Sequence, residues 1–295
     1  MERRAWDRWD RPGRASFNVA GPAQALAAAQ LVRTGAVLRL DLPPDFFSPP
    51  LFARAAHVHH VQGDEGDFAR DDLLDGWNTQ ASTHWDGLRH VREGAGFFGG
   101  RSGAELGAEH LADPGLVTRA VLADVVRWRE STGRPLDPCS SEAITVADLE
   151  ATLAHQGTVL QHGDVLLIRT GWAGWYAQAG PAERQAAAER SELRTPGLLA
   201  SQATADWLAG HNLAGVAADN SSVEAWPLRS GTDGAGETLH VLAMVRLGIV
   251  LGELWRLDEL ADHCASDRRW VSMLVSAPLA FRGACATPAN ALVIR

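Results

Sequence analysis

The segment from Gln80 to His90 constrains this chain more than any other. It carries an amide, two imidazoles and a carboxylate, on Gln80, His84, Asp86 and His90, all at even-numbered spacings. In an extended segment alternate side chains share a face, so these four side chains would point the same way. A straight strand would place His90 roughly 13 Å from Asp86, which is too far for one metal ion. The chain must therefore turn, and Gly87 permits a turn.

Imidazole and carboxylate together form a ligand set for a borderline divalent metal such as Zn²⁺ or Mn²⁺. After such a turn, His84 and Asp86 could hold a metal while His90 lies beside it as a base. A polar loop with locally hydrogen-bonded histidines is the alternative interpretation. Four polar groups on one face beside Trp85 favour a site, because burying them without partners would be costly.

Other features of the sequence exclude several classes of protein. The net charge is −9, which argues against nucleic acid or an anionic membrane as partner. No secretory signal and no apolar run of membrane-spanning length is evident, and three widely spaced cysteines suggest no disulfide framework. We therefore expect a cytoplasmic protein. The nucleophile elbow, the P-loop, the dinucleotide-binding glycine motif and the H-E-x-x-H zinc motif are absent.

Alternating helix and strand signals predict an α/β fold with no linker between independent domains. Thr145 and Asp148 predict a helix start, and Gly157 its end. Strands are predicted at 36–42, 117–126, 165–168, 215–218, 249–251, 272–275 and 291–294. Residues 45–78 read as a long ordered loop and 175–194 as a polar insertion.

The first fourteen residues read as an arm without helical or strand periodicity. Trp6 and Trp9 lie in this arm, which has no core of its own to bury them. Exposed tryptophans are well explained by docking on a neighbouring subunit. We therefore expect a homodimer or a larger homo-oligomer built from one domain over residues 1–295.

The Gln80-x3-His84-x-Asp86-x3-His90 segment resembles the His-x3-His-x-Asp-x3-His signature of the metal-dependent cyclase family, which includes bacterial kynurenine formamidase and isatin hydrolase. Further segments resemble the family in the same order, including a D-x-x-s-v-E segment typical of a longer, actinobacterial and fungal-like branch. These segments are 163–172, 196–198, 218–227, 248–255, 277–279 and 286–290. The resemblance implies a single α/β domain around a mixed, partly closed β-sheet with flanking helices.

The resemblance also implies roles for individual residues. His84 and Asp86 match metal ligands, His90 matches the general base, and His240 and Glu253 match remote ligands or substrate contacts. Gln80 stands where the family has its first histidine ligand. An amide oxygen is a weaker ligand than an imidazole, so one metal ion per chain is favoured over two.

Four more residues are candidates for contact with a substrate. Trp85 and Trp172 would suit a flat aromatic molecule. Thr170 follows one strand, and Asn220, next to Asp219, follows another, where active-site groups of α/β folds commonly lie. Packing in the core is an equal alternative for Trp172. Glu224 could pair with an arginine.

The predicted function is a metal-dependent hydrolase or cyclase. It would act on an acyl C–N or C–O bond of a small, aromatic or secondary-metabolite substrate, such as an amide, imide or lactone. One alternative is a metal-free or metal-weakened cyclase or dehydratase of secondary metabolism, with His90 and His84 as an acid/base pair. Another is a degenerate relative that binds a small ligand without turnover.

Overall fold

A mixed nine-stranded sheet forms the centre of the molecule, which we describe from a computed structural model over residues 7–228 and 237–295. The strands of the chain are β1 Val37–Arg39, β2 Val58–Gln62, β3 Asp71–Asp75, β4 His84–Asp86, β5 Leu116–Asp124, β6 Ala143–Ile144, β7 Val165–Arg169, β8 Gly197–Leu198, β9 Gly215–Ala218, β10 Leu251–Glu253, β11 Val271–Ser276, β12 Ala286–Pro288 and β13 Ala291–Ile294.

The order in the large sheet is β1-β13-β11-β5-β7-β9-β10-β4-β12. The four central strands β5, β7, β9 and β10 are parallel to one another. The strand pairs on both flanks of the sheet are antiparallel. The parallel strands are almost wholly buried, because helices cover such strands on both faces. The sheet curls into an open half-barrel, which confirms the expected single α/β domain around a partly closed sheet.

Eight α-helices in the described part of the chain connect and cover the strands. They are α1 Pro22–Ala29, α2 Glu109–Ala112, α3 Val125–Ser131, α4 Val146–His155, α5 Trp172–Gln178, α6 Pro181–Ala188, α7 Gln202–Gly210 and α8 Asp258–Asp267. Short 3-10 helices span Pro12–Val19, Leu51–Ala53, Phe98–Gly100 and Gly103–Glu105, and a π-helical segment spans His240–Val245. Within the described residues, no helix is long and apolar enough to cross a bilayer.

Helix α4 begins and ends where the sequence signals predict. The Thr145 hydroxyl accepts a hydrogen bond from the backbone N–H of Asp148, whose carboxylate accepts one from the backbone N–H of Thr145. Gly157 follows the helix with φ +63°, a backbone conformation that glycine adopts without strain. Local capping chemistry therefore sets both ends of this helix.

Two predictions of secondary structure were wrong, and a third was incomplete. Residues 45–78 are not a continuous loop, because β2 and β3 pair there as an antiparallel hairpin. Residues 175–194, predicted only as a polar insertion, contain the end of α5 and all of α6. The strand predicted at 249–251 lies at Leu251–Glu253, where it pairs with β4 and β9. In each case tertiary pairing or packing overrides a weak local signal.

The N-terminal arm packs partly on its own chain. Residues Pro12–Val19 form 3-10 turns, and Phe17 is fully buried. Trp9 is half-buried against the central core, which contradicts the expectation that it needs a neighbouring subunit. Trp6 lies outside the described residues. All three cysteines are free.

Candidate active site

The predicted motif lies on β4, between β10 and β12. His84 and Asp86 are fully buried and share one face of this strand. Glu253 of β10 is the cross-strand partner of His84, so its carboxylate joins the same face. The pairing of β4 with β10 thus brings together groups far apart in sequence.

The chain turns after Asp86, as the spacing requires. The backbone N–H of His90 donates to the carbonyl of Gly87 at 2.8 Å, and the Gly87 N–H donates to the carbonyl of Cys285 at 2.8 Å. A Cβ at position 87 would lie 2.9 Å from the Cys285 carbonyl oxygen and 3.1 Å from the Cβ of Ala108. Gly87 is therefore required by close packing and not by a left-handed backbone.

Four side chains form a compact cluster of nitrogen and oxygen atoms. His84 Nε2 lies 3.4 Å from Asp86 Oδ1 and 3.3 Å from Glu253 Oε2. His240 Nε2 lies 3.5 Å from Asp86 Oδ2 and 3.1 Å from Glu253 Oε1. His240 comes from the start of the π-helical segment, where helical geometry directs it toward β4 and β10. The structure thus joins four of the residues predicted as metal ligands.

Two hydrogen bonds orient the histidine rings of the cluster. His84 Nδ1 donates to the carbonyl oxygen of Ser82 at 2.8 Å, which leaves Nε2 as the acceptor atom. His240 Nδ1 lies 2.8 Å from Glu224 Oε1, and the other oxygen of Glu224 accepts from the backbone N–H of Leu239 at 2.7 Å. Such partners fix the tautomer of metal-binding histidines. Glu224 therefore pairs with a histidine and not with the arginine that the sequence suggested.

Burial and charge shift the pKa values of the cluster in opposite directions. Burial by itself would lower the pKa of His84, but Asp86 and Glu253 raise it to about 9. The pKa of His240 is likewise raised well above its usual value, since Asp86, Glu224 and Glu253 outweigh its burial. The histidine charges and hydrogen bonds lower the pKa of Asp86 and Glu253 against the effect of burial. The carboxylates stay ionised and require positive charge beside them.

The cluster fits a divalent metal ion. His84 Nε2 and Asp86 Oδ2 are buried and make no hydrogen bond within the described residues, and their contacts are ion pairs at 3.3–3.5 Å, although such atoms are normally hydrogen-bonded. Donor atoms of His84, Asp86 and Glu253 lie within 4.8 Å of one another, and so do those of Asp86, His90 and His240. Imidazole and carboxylate are ligands that Zn²⁺ and Mn²⁺ accept. These residues could therefore hold a metal ion.

Gln80 and His90 lie at the edge of the cluster. Gln80 Nε2 donates to Asp86 Oδ1 at 3.1 Å and lies 3.3 Å from His90 Nδ1. His90 Nε2 is 3.9 Å from Asp86 Oδ1, and the side chain is 28 % exposed, more than any ligand candidate. In this arrangement Gln80 serves as a hydrogen-bond donor to the cluster, and its role as a metal ligand stays a prediction.

A cavity of about 320 Å³ adjoins the cluster. His90, His240, Glu253 and Glu224 form its base. The remaining lining includes aromatic, cationic and hydroxyl side chains, among them Phe52, Arg54, Arg190, Ser221, Ser222, Trp226 and Thr238. The cavity gives a small substrate access to His90 and to the ligand candidates.

None of the four residues predicted to contact substrate is among the described residues that line this cavity. Trp85 projects from the opposite face of β4, fully buried, with its ring 4.7 Å from Trp255 and 5.3 Å from Phe17. Trp172 is also fully buried and stacks on Phe47 at 5.7 Å, so the alternative of core packing describes it. Both tryptophans stabilise the fold.

Thr170 and Asn220 hold loops together. The backbone N–H and the hydroxyl group of Thr170 both donate hydrogen bonds to the Asp219 carboxylate. Thr170 lines a cavity other than the one beside the cluster. Asn220 Nδ2 donates to the carbonyls of Pro196 at 2.7 Å and Glu224 at 3.2 Å. A Cβ at Gly197 would lie 2.4 Å from Asn220 Nδ2 and from the Glu224 carbonyl carbon. These contacts position the Glu224 loop and need glycine at position 197.

Backbone strain flanks two acidic residues of the site. Val223, just before Glu224, has φ 57°, and Leu254, just after Glu253, has φ 61°. Positive φ is costly for residues with a Cβ and is often found at functional sites. The surrounding hydrogen bonds, including that from the Leu254 N–H to the Asn220 carbonyl at 2.9 Å, hold this conformation.

Comparison with known proteins identifies the family. The Cyclase family model matches residues 75–225. A crystal structure of a "novel cyclase" is 30% identical, with a TM-score of 0.84, and both chains are covered over 100% of their length. Isatin hydrolase A from Ralstonia solanacearum is 19% identical, with a TM-score of 0.62 and coverage of 92% of this chain and 94% of that one.

A "predicted metal-dependent hydrolase" from Bacillus stearothermophilus is 18% identical, with a TM-score of 0.52 and coverage of 88% of this chain and 97% of that one. Among the curated proteins, none matches this sequence. The two more distant structures show the fold alone. The matched family model covers just over half of the chain, and the 30% identical cyclase matches throughout its length. The chain therefore belongs to the Cyclase family of enzymes.

Proposed function

We propose that this protein is a metal-dependent hydrolase or cyclase that acts on an acyl C–N or C–O bond of a small planar substrate. The observation that carries the proposal is the buried His84–Asp86–His240–Glu253 cluster, with two atoms that make no hydrogen bond within the described residues, at the base of an accessible cavity. The solved relatives described as isatin hydrolase and as a metal-dependent hydrolase support the same class of reaction.

In this proposal His84, Asp86, His240 and Glu253 hold one Mn²⁺ or Zn²⁺ ion per chain. When bound, such an ion supplies Lewis acidity, which polarises a carbonyl group and acidifies water. Glu224 and the Ser82 carbonyl keep the two histidine rings in the tautomer that presents Nε2. The positive charge also compensates the buried carboxylates, which otherwise depend on protonated histidines.

His90 is the proposed general base, because its ring lines the cavity and imidazole is the side chain that most often serves as a general base. The Gln80 amide nitrogen lies between Asp86 Oδ1 and His90 Nδ1, so it links the His90 ring to the buried carboxylate. Gln80 thus acts in the proposal as a positioning residue for His90.

The walls of the cavity favour a planar substrate. The rings of Phe52 and Trp226 meet edge to face with centroids 5.3 Å apart. Phe52 has φ 60°, a costly backbone conformation that the surrounding structure must hold. Two fixed aromatic rings provide apolar contact area for a flat molecule at low entropic cost.

Turnover of a panel of aryl formamides, imides and lactones tests the proposal. In hydrolysis, water adds its oxygen to the carbonyl carbon, the C–N or C–O bond breaks, and the leaving group takes a proton. We expect activity that chelator removes and Mn²⁺ or Zn²⁺ restores. Activity without bound metal and insensitive to chelator would instead support the metal-free cyclase or dehydratase. Ligand binding without any turnover would support the non-catalytic alternative.

We also propose that the protein is a homodimer or larger homo-oligomer. The β2–β3 hairpin is exposed along both strands, with Val58 52% and Leu74 44% exposed, and Phe68 at its tip wholly exposed. A lone two-stranded hairpin is only marginally stable in water, so a second copy of the chain is its proposed support. Light scattering at micromolar concentration should report an oligomer, and Leu74→Asp should shift it toward monomer. Val159→Asp, at a 70% exposed position elsewhere, is the control.

A further inference from the structure

The mouth of the active-site cavity carries two cationic side chains. Arg54 and Arg190 both line the cavity. Their guanidinium carbons lie 5.2 Å and 5.9 Å from the centre of the same ring, that of Phe52. Arg54 interacts electrostatically with Glu253 and Asp86, whereas Arg190 forms no salt bridge with a carboxylate of the described residues. Two like charges near one ring repel each other unless an anion lies between them.

Each arginine is held in place by its own contacts. Arg54 is largely buried, and its Nη1 donates to the carbonyl of Gln80 at 2.6 Å. Arg190 stacks over the ring of Trp226 at 4.9 Å, while Trp226 Nε1 donates to the Arg190 carbonyl at 3.3 Å. Backbone hydrogen bonds to Thr195 in both directions fix Trp226. The cations are therefore preorganised, which lowers the entropic cost of binding an anion.

The charges of the site indicate which cation remains uncompensated. Asp86, Glu224 and Glu253 carry three negative charges beside the histidines. A divalent cation would leave one negative charge, and Arg54, which interacts with Glu253 and Asp86, would balance it. Arg190 would then stand at the cavity mouth without a counter-charge among the described residues.

We propose that the substrate of this enzyme is a planar acyl compound that bears a carboxylate, which Arg190 recognises while Phe52 and Trp226 hold its ring. This inference rests on the proposed function, because it specifies the substrate class for that same site. A guanidinium group binds a carboxylate through two parallel hydrogen bonds, and it stacks on aromatic faces, so this wall suits an aryl carboxylate. The acyl bond to be broken would point toward His90.

Two matched probes test the proposal: 4-formamidobenzoate and its neutral counterpart 4-formamidobenzamide. The wild-type enzyme should show a kcat/KM at least about 10-fold higher for the carboxylate, because a charge-assisted hydrogen bond is worth more than a neutral one. Arg190→Gln should reduce that ratio by about 10-fold, through KM, since the lost bond lies away from the scissile carbonyl. Replacement of Arg54 is unsuitable because its side chain also holds the Gln80 backbone.

Arg184→Gln is the matched control. Arg184 also stacks on an aromatic ring, Tyr176, at 5.1 Å, but it does not line this cavity. Its replacement should leave the ratio of the two substrates at the wild-type value. If Arg184→Gln lowers the ratio of kcat/KM for the two probes as much as Arg190→Gln does, the assignment of Arg190 as the carboxylate-binding residue is overturned.

Calorimetric binding of the same two probes separates this inference from the proposed function. Turnover of both probes with equal kcat/KM would overturn the substrate class and leave the hydrolase proposal standing. Absence of turnover, together with tighter binding of the carboxylate that Arg190→Gln abolishes, would support the anion site and contradict hydrolysis of these bonds. If neither probe is turned over and the two probes bind equally or not at all, both the substrate class and the hydrolase proposal are overturned.

Discussion

Replacement of Glu224 by Gln is the sharpest test of how the site is organised. Glu224 is 1% exposed and accepts three hydrogen bonds: Oε1 accepts from His240 Nδ1 and, at 3.5 Å, from the backbone N–H of His240, and Oε2 accepts from the backbone N–H of Leu239. An amide has one accepting oxygen, so Gln cannot satisfy the donors at both oxygen positions. The substitution preserves the size of the side chain and changes only its hydrogen bonding and charge.

Both orientations of the new amide weaken the site. If its nitrogen faces His240, Nδ1 must become the acceptor, and the hydrogen moves to Nε2, which then cannot bind a metal ion. If its nitrogen faces Leu239, two buried donors oppose each other, at a cost of about 1–3 kcal/mol. Loss of such a partner usually reduces metal affinity by about 10- to 100-fold, or about 1.4–2.7 kcal/mol. We expect a loss in this range for Glu224→Gln.

Competition with a chelating indicator measures Zn²⁺ and Mn²⁺ affinity, and unfolding in excess chelator measures the stability of the metal-free protein. Glu142→Gln is the control, because Glu142 also accepts from a largely buried partner, Arg129 at 2.6 Å, and belongs to neither group of candidate ligands. Its metal affinity should match the wild type. If Glu224→Gln binds metal within about threefold of wild type and unfolds at the same temperature, the orienting role of Glu224 is refuted.

Three further substitutions test the remaining roles. His90→Ala should retain its metal by elemental analysis while kcat falls by about 10²–10⁴-fold, and normal turnover would exclude His90 as the base. Gln80→His should raise metal stoichiometry above one per chain or tighten binding in the same assay, and two tightly bound ions in the wild type would contradict this reasoning. Gly197→Ala should lower the free energy of unfolding in urea by about 1–3 kcal/mol or more, because its Cβ would meet the Glu224 backbone at 2.4 Å. Gly210→Ala, whose Cβ meets nothing within 4 Å, should unfold like the wild type, and equal losses in both would argue against the close contact.

Local signals in the sequence predicted many of the helices and strands. The capping residues of α4 and the apolar runs of β7 and β9 act over a few residues, so they could be recognised without the structure. The β2–β3 hairpin could not, because its strands are polar and exposed and lack the alternation that marks a half-buried strand. Helices α5 and α6 were missed because alanine-rich polar segments carry little periodicity.

The sequence by itself determined the family and the ligand candidates, because His84, Asp86 and the turn at Gly87 lie within one short segment, and the family resemblance adds His240 and Glu253. Only the tertiary structure decided which groups meet these residues. The pairing of β4 with β10 places Glu253 beside His84 and sends Trp85 to the opposite face, which removes it from the substrate cavity.

The loop after β9, the turn that contains Phe52 and the segment after α6 bring Glu224, Arg54 and Arg190, respectively, to the cavity from distant parts of the chain. No spacing in the sequence predicts that these residues lie together, because their proximity depends on strand register and on the packing of loops against the sheet. The identity of the metal-binding groups is therefore a local property of this sequence, whereas their orientation and the charge of the substrate cavity are properties of the fold.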